Sequence, residues 1–149
     1  MGSDSIGDAI DFAISEEAKF KEIYRNTAKR TDNELLIALL EDLARTEQGH
    51  EVRLRAFKAT KLDRLSAAKA QDLKISDYLV DVDIDDASTV QDIMIYAMKS
   101  EGKAHQLYTS LAEKAGTEEA GLFTDLAQEE LKHKSDLERA YEDLFLPEN

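Results

Sequence analysis

The sole proline of this chain is Pro147. Inside a helix, proline removes a backbone donor and clashes with the preceding turn. Everything before position 147 is therefore free to be helical, and the apolar residues use that freedom. They recur at spacings of three and four in four stretches, the period of one helix face. The first stripe is Ile6, Ile10, Ala13, Glu17, Phe20, Tyr24 and Ala28; the second is Leu36, Leu39, Leu43, Glu47, His50, Leu54 and Phe57. The third runs through Val90, Met94, Ala97, Glu101, Ala104, Tyr108 and Leu111; the fourth through Phe123, Leu126, Glu130, His133, Leu137 and Tyr141. The fold class this predicts is all-α, a four-helix bundle forming one domain over residues 1–149.

The breaks between stripes predict the connectivity. Thr31-Asp32-Asn33 and Gly116-Thr117 read as short turns, so helices one and two form one hairpin and helices three and four another. From about Leu62 to Ala87 the period is lost, and Asp81-Val82-Asp83-Ile84-Asp85-Asp86 is acidic and non-helical in character. Such a segment is long enough to run the height of a bundle. Two hairpins joined by a long crossover is the ferritin-like arrangement. Ser88-x-x-Gln91 is the expected capping box of the third helix.

Each apolar stripe is interrupted by a glutamate. Glu17 and Glu101 stand alone, whereas Glu47 and Glu130 are each followed three residues later by a histidine, His50 and His133. Positions i and i+3 lie one turn apart on one helix face, so each Glu-x-x-His can hold the same ion. One Glu from each of two helices, with a Glu-x-x-His from each of the other two, is the ligand set of a two-metal site in a bundle core. Solvated glutamates would not explain four interruptions at matched depth. Nor would they explain why two of only three histidines fall in this spacing. The candidate metal ligands are therefore Glu17, Glu47, His50, Glu101, Glu130 and His133. Glu47 and Glu130 are the bridging carboxylates, and Glu17 and Glu101 each cap one ion. Four carboxylates balance two divalent cations, whereas unpaired buried charges cost several kcal/mol each. Mixed oxygen and nitrogen donors suit iron or manganese, or one of each, better than a closed zinc site.

An internal repeat sorts the ambiguous residues. Glu17 aligns with Glu101 at an offset of 84, and Glu47 with Glu130 at an offset of 83. Tyr24 then matches Tyr108, and both are expected to hydrogen-bond ligand carboxylates, because a buried phenol needs a partner. Glu16 matches Ser100 and falls off the stripe. His105 matches Lys21 and is expected at the surface. Gly49 and Gly102 lie beside ligands and are expected to permit close approach or helix opening there.

The net charge of −13 argues against nucleic acid or an anionic membrane as partner. The chain has no cysteine, which excludes from it any disulfide, thiolate metal site or rubredoxin-type iron centre. No apolar run has the length of a membrane span and no signal peptide is visible, so the expected compartment is the cytoplasm.

With its ordered set Glu17, Glu47-x-x-His50, Glu101 and Glu130-x-x-His133, and with Glu-x6-Tyr in both odd helices, the chain resembles the rubrerythrin-type ferritin-like family over about residues 5–145. The resemblance implies two iron ions on those six residues and a non-haem di-iron oxidoreductase, reducing hydrogen peroxide or dioxygen. It implies a separate electron donor protein, since no rubredoxin-type centre lies in this chain, and a homodimer. It departs from the family at Ala104, where the typical rubrerythrin carries a further glutamate. That departure leaves a symmetric site closer to that of bacterioferritin. The alternatives are a ferroxidase or iron-binding protein, a di-iron hydroxylase, and a structural dimerisation module.

Overall fold

A computed structural model describes residues 4–65, 73–116 and 118–146. Thr117, residues 66–72 of the expected crossover, and Pro147 lie outside the described residues. Among the described residues, four α-helices carry the fold: α1 (Ile6–Ala28), α2 (Glu34–Leu65), α3 (Val90–Lys114) and α4 (Ala120–Phe145). The four predicted helices are thus present, and α2 runs beyond the position where its apolar period fades. The fold is an all-α four-helix bundle.

Local chemistry sets most helix starts. Ser5 accepts from the Asp8 backbone at 3.0 Å while the Asp8 side chain accepts from the Ser5 backbone, a capping box that opens α1. The Asn33 side chain accepts from Leu36 N at 2.9 Å and opens α2. The expected cap of α3 is displaced by one residue. Thr89, not Ser88, is the N-cap, in a reciprocal capping box with Asp92. Ser88 instead accepts from Asp85 N at 3.0 Å, and the Gln91 side chain donates to Tyr141 Oη at 2.9 Å. An acidic N3 residue satisfies the cap as well as Gln does and also suits the positive helix terminus.

α1 pairs with α2 and α3 with α4, while the two hairpins meet along α1–α3 and α2–α4. The described part of the connection runs along the bundle. At one end Asp4 N donates to Leu73 O at 2.8 Å, and Asp4 Oδ2 accepts from Ile75 N at 2.7 Å. At the other end Arg30 donates to Ser88 O. These anchors lie at opposite ends of α1, which is about 35 Å long at 1.5 Å per residue. Between them sit a single 3-10 turn, Ile75–Tyr78, and an irregular stretch holding the acidic run.

The core forms two apolar layers. One gathers Ile6, Ile10, Leu54, Phe57, Leu73, Leu111, Phe123 and Leu126. The Phe57 and Phe123 rings meet edge to face at 5.0 Å. The other layer gathers Phe20, Tyr24, Leu36, Leu40, Leu43, Met94, Tyr96 and Leu137. In α2 the buried position is Leu40; Leu39, assigned to the stripe from its spacing, is only half-buried. The positions left between these layers on the inward faces are the polar ones.

Candidate metal centre

Glu17, Glu47, His50, Glu101, Glu130 and His133 are all at most 5% exposed. Such burial is exceptional for ionisable side chains without a partner. Their donor atoms form two overlapping clusters. Glu17, Glu47, His50 and Glu130 make one, and Glu47, Glu101, Glu130 and His133 make the other. Within each cluster one atom from every residue lies within 4.8 Å of the rest. Glu47 and Glu130 appear in both, so the geometry has two centres and two shared carboxylates.

The contacts show how closely the atoms converge. His50 Nδ1 lies 2.7 Å from Glu130 Oε1 and 3.1 Å from Glu17 Oε2. His133 Nδ1 lies 3.0 Å from Glu47 Oε1 and 3.5 Å from Glu101 Oε2. The two imidazoles are nearly parallel, with centroids 5.7 Å apart. Yet Glu47 Oε1, Glu101 Oε2, Glu130 Oε1 and His133 Nδ1 are buried without a hydrogen-bond partner. Unpaired buried polar atoms are rare and costly. Four of them facing one another is the pattern expected where lone pairs aim at a common cation. The donor set and these orphaned atoms fit a metal pair.

Two tyrosines brace the cluster from the opposite hairpin. Tyr24 on α1 donates to Glu101 Oε1 on α3 at 2.6 Å, and Tyr108 on α3 donates to Glu17 Oε1 on α1 at 3.1 Å. Each phenol bonds the glutamate of the other helix, not of its own. Burial and the nearby carboxylates push both phenols well above their ordinary pKa, so both remain donors.

The electrostatics are those of acids crowded out of water. Burial, then the neighbouring carboxylates, raises Glu17 and Glu130 well above the ordinary range. Burial, followed by the charge of Glu101, raises Glu47 to about 7. Burial also works against ionised Glu101, but the adjacent Glu130 and His133 and the hydrogen bond from Tyr24 outweigh it and hold this group below its usual value. The imidazoles diverge. Burial lowers His50. It also opposes the charge on His133, where Glu101 and Glu47 prevail and raise the pKa to about 10. Crowding thus favours protonation of the cluster, and a bound cation would compete with those protons.

Two further residues at the site carried no motif. Glu129 Oε1 lies 3.2 Å from His50 Nε2, and Arg53 donates to Glu129 Oε2 at 3.0 Å. The signal available for them was a mismatch in the repeat, since Glu129 aligns with Thr46. Glu16 stays outside the cluster, half-buried and 3.6 Å from Lys19 Nζ. His105 was expected at the surface. It is half-buried, with its Nδ1 2.8 Å from Ala127 O, which ties α3 to α4. The glycines do not serve close approach. A Cβ on Gly49 would meet open space, and one on Gly102 would meet only the flexible end of Lys134 at 3.4 Å.

A small cavity of about 30 Å³ reaches the carboxylates from the α1–α3 side. Phe12, Glu16, Tyr78, Lys103, Ala104 and Leu107 form its walls beside Glu17, Glu101 and Glu130. It has room for one molecule the size of water or dioxygen. Among the described residues, no helix is long and apolar enough to cross a membrane.

Comparison with known proteins gives a family match for part of the chain and a similar fold for most of it. Residues 92–149, which carry Glu101, Glu130 and His133, match the rubrerythrin family model. This part of the chain is similar to rubrerythrin. A solved structure of a hypothetical protein from Pyrococcus furiosus superposes with a TM-score of 0.72 and 25% sequence identity, covering 93% of this chain and 89% of that one. No curated protein matches the sequence. The family match lies on the α3–α4 hairpin. The α1–α2 hairpin supplies the repeated half of the cluster, Glu17, Glu47 and His50.

Proposed function

We propose that the protein is a non-haem di-iron oxidoreductase of rubrerythrin-like type, reducing peroxide or dioxygen. One observation carries the reading: the two overlapping four-residue clusters that share Glu47 and Glu130. Shared carboxylates between two nitrogen-bearing ends are what a bridged pair of ions requires. Glu17, Glu47, His50 and Glu130 would hold one ion, and Glu47, Glu101, Glu130 and His133 the other. A bound iron pair supplies the electrons that peroxide or dioxygen takes up. Manganese, or an iron–manganese pair, satisfies the same donors.

The chain's own residues do the remaining work. The apolar layers on either side exclude water and strengthen every charge interaction between them. Tyr24 and Tyr108 fix the rotamers of Glu101 and Glu17. The small cavity admits a substrate of few atoms and rejects larger ones. Lys103 and Glu16 are polar groups of its wall. Turnover draws electrons from a separate donor protein in the cytoplasm, and the working unit is a homodimer.

A second reading makes iron the substrate: a ferroxidase. Ala104 favours it, because the cavity wall has no carboxylate where a typical rubrerythrin carries one. Two measurements decide between them. Metal analysis of purified protein should give two ions per chain, with anomalous scattering at the clustered residues. Peroxide consumption sustained over many turnovers with an added electron donor supports the oxidoreductase. Iron oxidation that stops after a fixed number of equivalents per chain supports the ferroxidase. A chain that binds no transition metal under any of these conditions would sink both.

A further inference from the structure

We infer that the two metal positions are unequal, the one at His50 taking up a divalent cation more tightly than the one at His133, because Glu129, held by Arg53, orients His50 alone. The inference rests on the di-metal reading above and adds to it a positioning residue and an order of filling.

His50 is engaged on both ring nitrogens. Its Nδ1 faces Glu17 and Glu130 in the cluster, and its Nε2 lies 3.2 Å from Glu129 Oε1 on α4. With Nε2–H donating to Glu129, the neutral ring is held as the tautomer whose Nδ1 lone pair points into the cluster, where an ion would be held. Arg53, one turn from His50 on α2, donates to the other oxygen of Glu129 at 3.0 Å and approaches Asp125 at 3.7 Å. The carboxylate is therefore fixed from both sides.

The other half of the repeat has none of this. His133 Nδ1 faces Glu47, Glu101 and Glu130. Among the described residues, no carboxylate outside the cluster lies within ion-pair distance of His133. Thr46, the repeat counterpart of Glu129, turns its hydroxyl back to Asp42 O at 3.0 Å. Asp136, the counterpart of Arg53, has the opposite charge and pairs with Lys132 at 2.9 Å. Thr46 and Glu129 are both half-buried, so the difference lies in chemistry and not in access. A ligand ring free to rotate or to change tautomer loses part of its binding free energy to ordering.

The test isolates each position with cobalt(II) as the probe. His133→Ala leaves the His50 position intact, and His50→Ala leaves the His133 position. Titration followed by calorimetry and by visible absorption should show tighter binding in His133→Ala, by about 10- to 100-fold, the usual weight of an outer hydrogen-bond partner. Adding Glu129→Gln should remove that advantage in the His133→Ala background and leave the His50→Ala background unchanged. Should a histidine variant fail to fold, Glu129→Gln in the otherwise native chain still decides. It should weaken one of the two binding steps and spare the other. Equal affinities in the two single-histidine variants, or an equal loss from Glu129→Gln in both, would overturn the inequality while leaving the di-metal reading standing. A native chain that binds no cobalt would overturn the di-metal reading itself, and the inequality with it.

Discussion

Tyr24 donates to Glu101 across the interface between the hairpins at 2.6 Å, although Glu17 lies on its own helix two turns away. Together with the reciprocal Tyr108–Glu17 bond, it locks α1 to α3 at the level of the site. Removing the phenol leaves a buried carboxylate oxygen without its donor. Tyr24→Phe should cost about 1–3 kcal/mol in urea denaturation of the metal-free protein. Tyr108→Phe, which removes the longer bond, should cost less. No loss in either variant would mean that these hydroxyls are not structural braces.

Metal should stabilise the fold, because the clustered carboxylates repel one another until a cation joins them. At a free metal concentration of 100 times Kd the gain is about 2.7 kcal/mol. For a chain of this size that corresponds to a rise in Tm of roughly 5–10 °C. The double change Glu47→Ala with Glu130→Ala removes both shared ligands and should abolish the shift. Equal Tm values for the metal-free and loaded native chain would count against the cluster as a metal site.

The metal-free protein should lose stability as pH rises from about 5 to about 8. Glu47 titrates near 4.5 when unfolded and at about 7 when folded. Between those values the folded chain keeps a proton that the unfolded chain has released, so raising the pH through this window favours unfolding. Glu17 and Glu130 shift in the same direction. His133 continues the trend, since its advantage is complete below 6.5 and fades as pH rises toward about 10. The lowered His50 opposes it but is outnumbered. Metal competes with these protons, so the stabilisation by metal should grow over the same interval. Thermal melts with and without chelator at several pH values would show it, and a metal-free Tm that climbs steadily to pH 8 would contradict the assignment.

Ala104→Glu should change how the centre reacts. Position 104 lies one turn from Glu101 and lines the cavity beside it. A carboxylate there fills the space a small substrate would use and adds a hard oxygen donor that favours ferric iron. Stopped-flow oxidation of the di-ferrous protein should show a changed ratio of peroxide to dioxygen rates. Unchanged rates with both oxidants, in a variant that retains two irons, would reduce Ala104 to a packing residue.

Helical period made the four helices legible, because a stripe of apolar residues at three-and-four spacing has one way to be buried. The same period exposed the six polar residues at matched depth, since a charged side chain on an apolar stripe must end up in the core. The repeat singled out Glu17 over Glu16, and the structure buries Glu17 and leaves Glu16 half-exposed. Boundaries were less legible. Thr89 displaced Ser88 as the cap of α3 because an N3 aspartate makes the reciprocal bond there.

What the sequence determined by itself is whatever one helix can state about its own faces: which residues are inward, at what height, and with what chemistry. The tertiary structure decided everything that depends on which helix stands opposite. Tyr24 was legible as a buried phenol in need of an acceptor, yet only the approach of α3 to α1 made that acceptor Glu101. Glu129 carried no motif, and only the contact of α4 with α2 brought it to His50 and Arg53. Periodicity along a chain fixes angles about one axis. The distances between axes come from packing two apolar layers around a polar one, and no single stripe contains them.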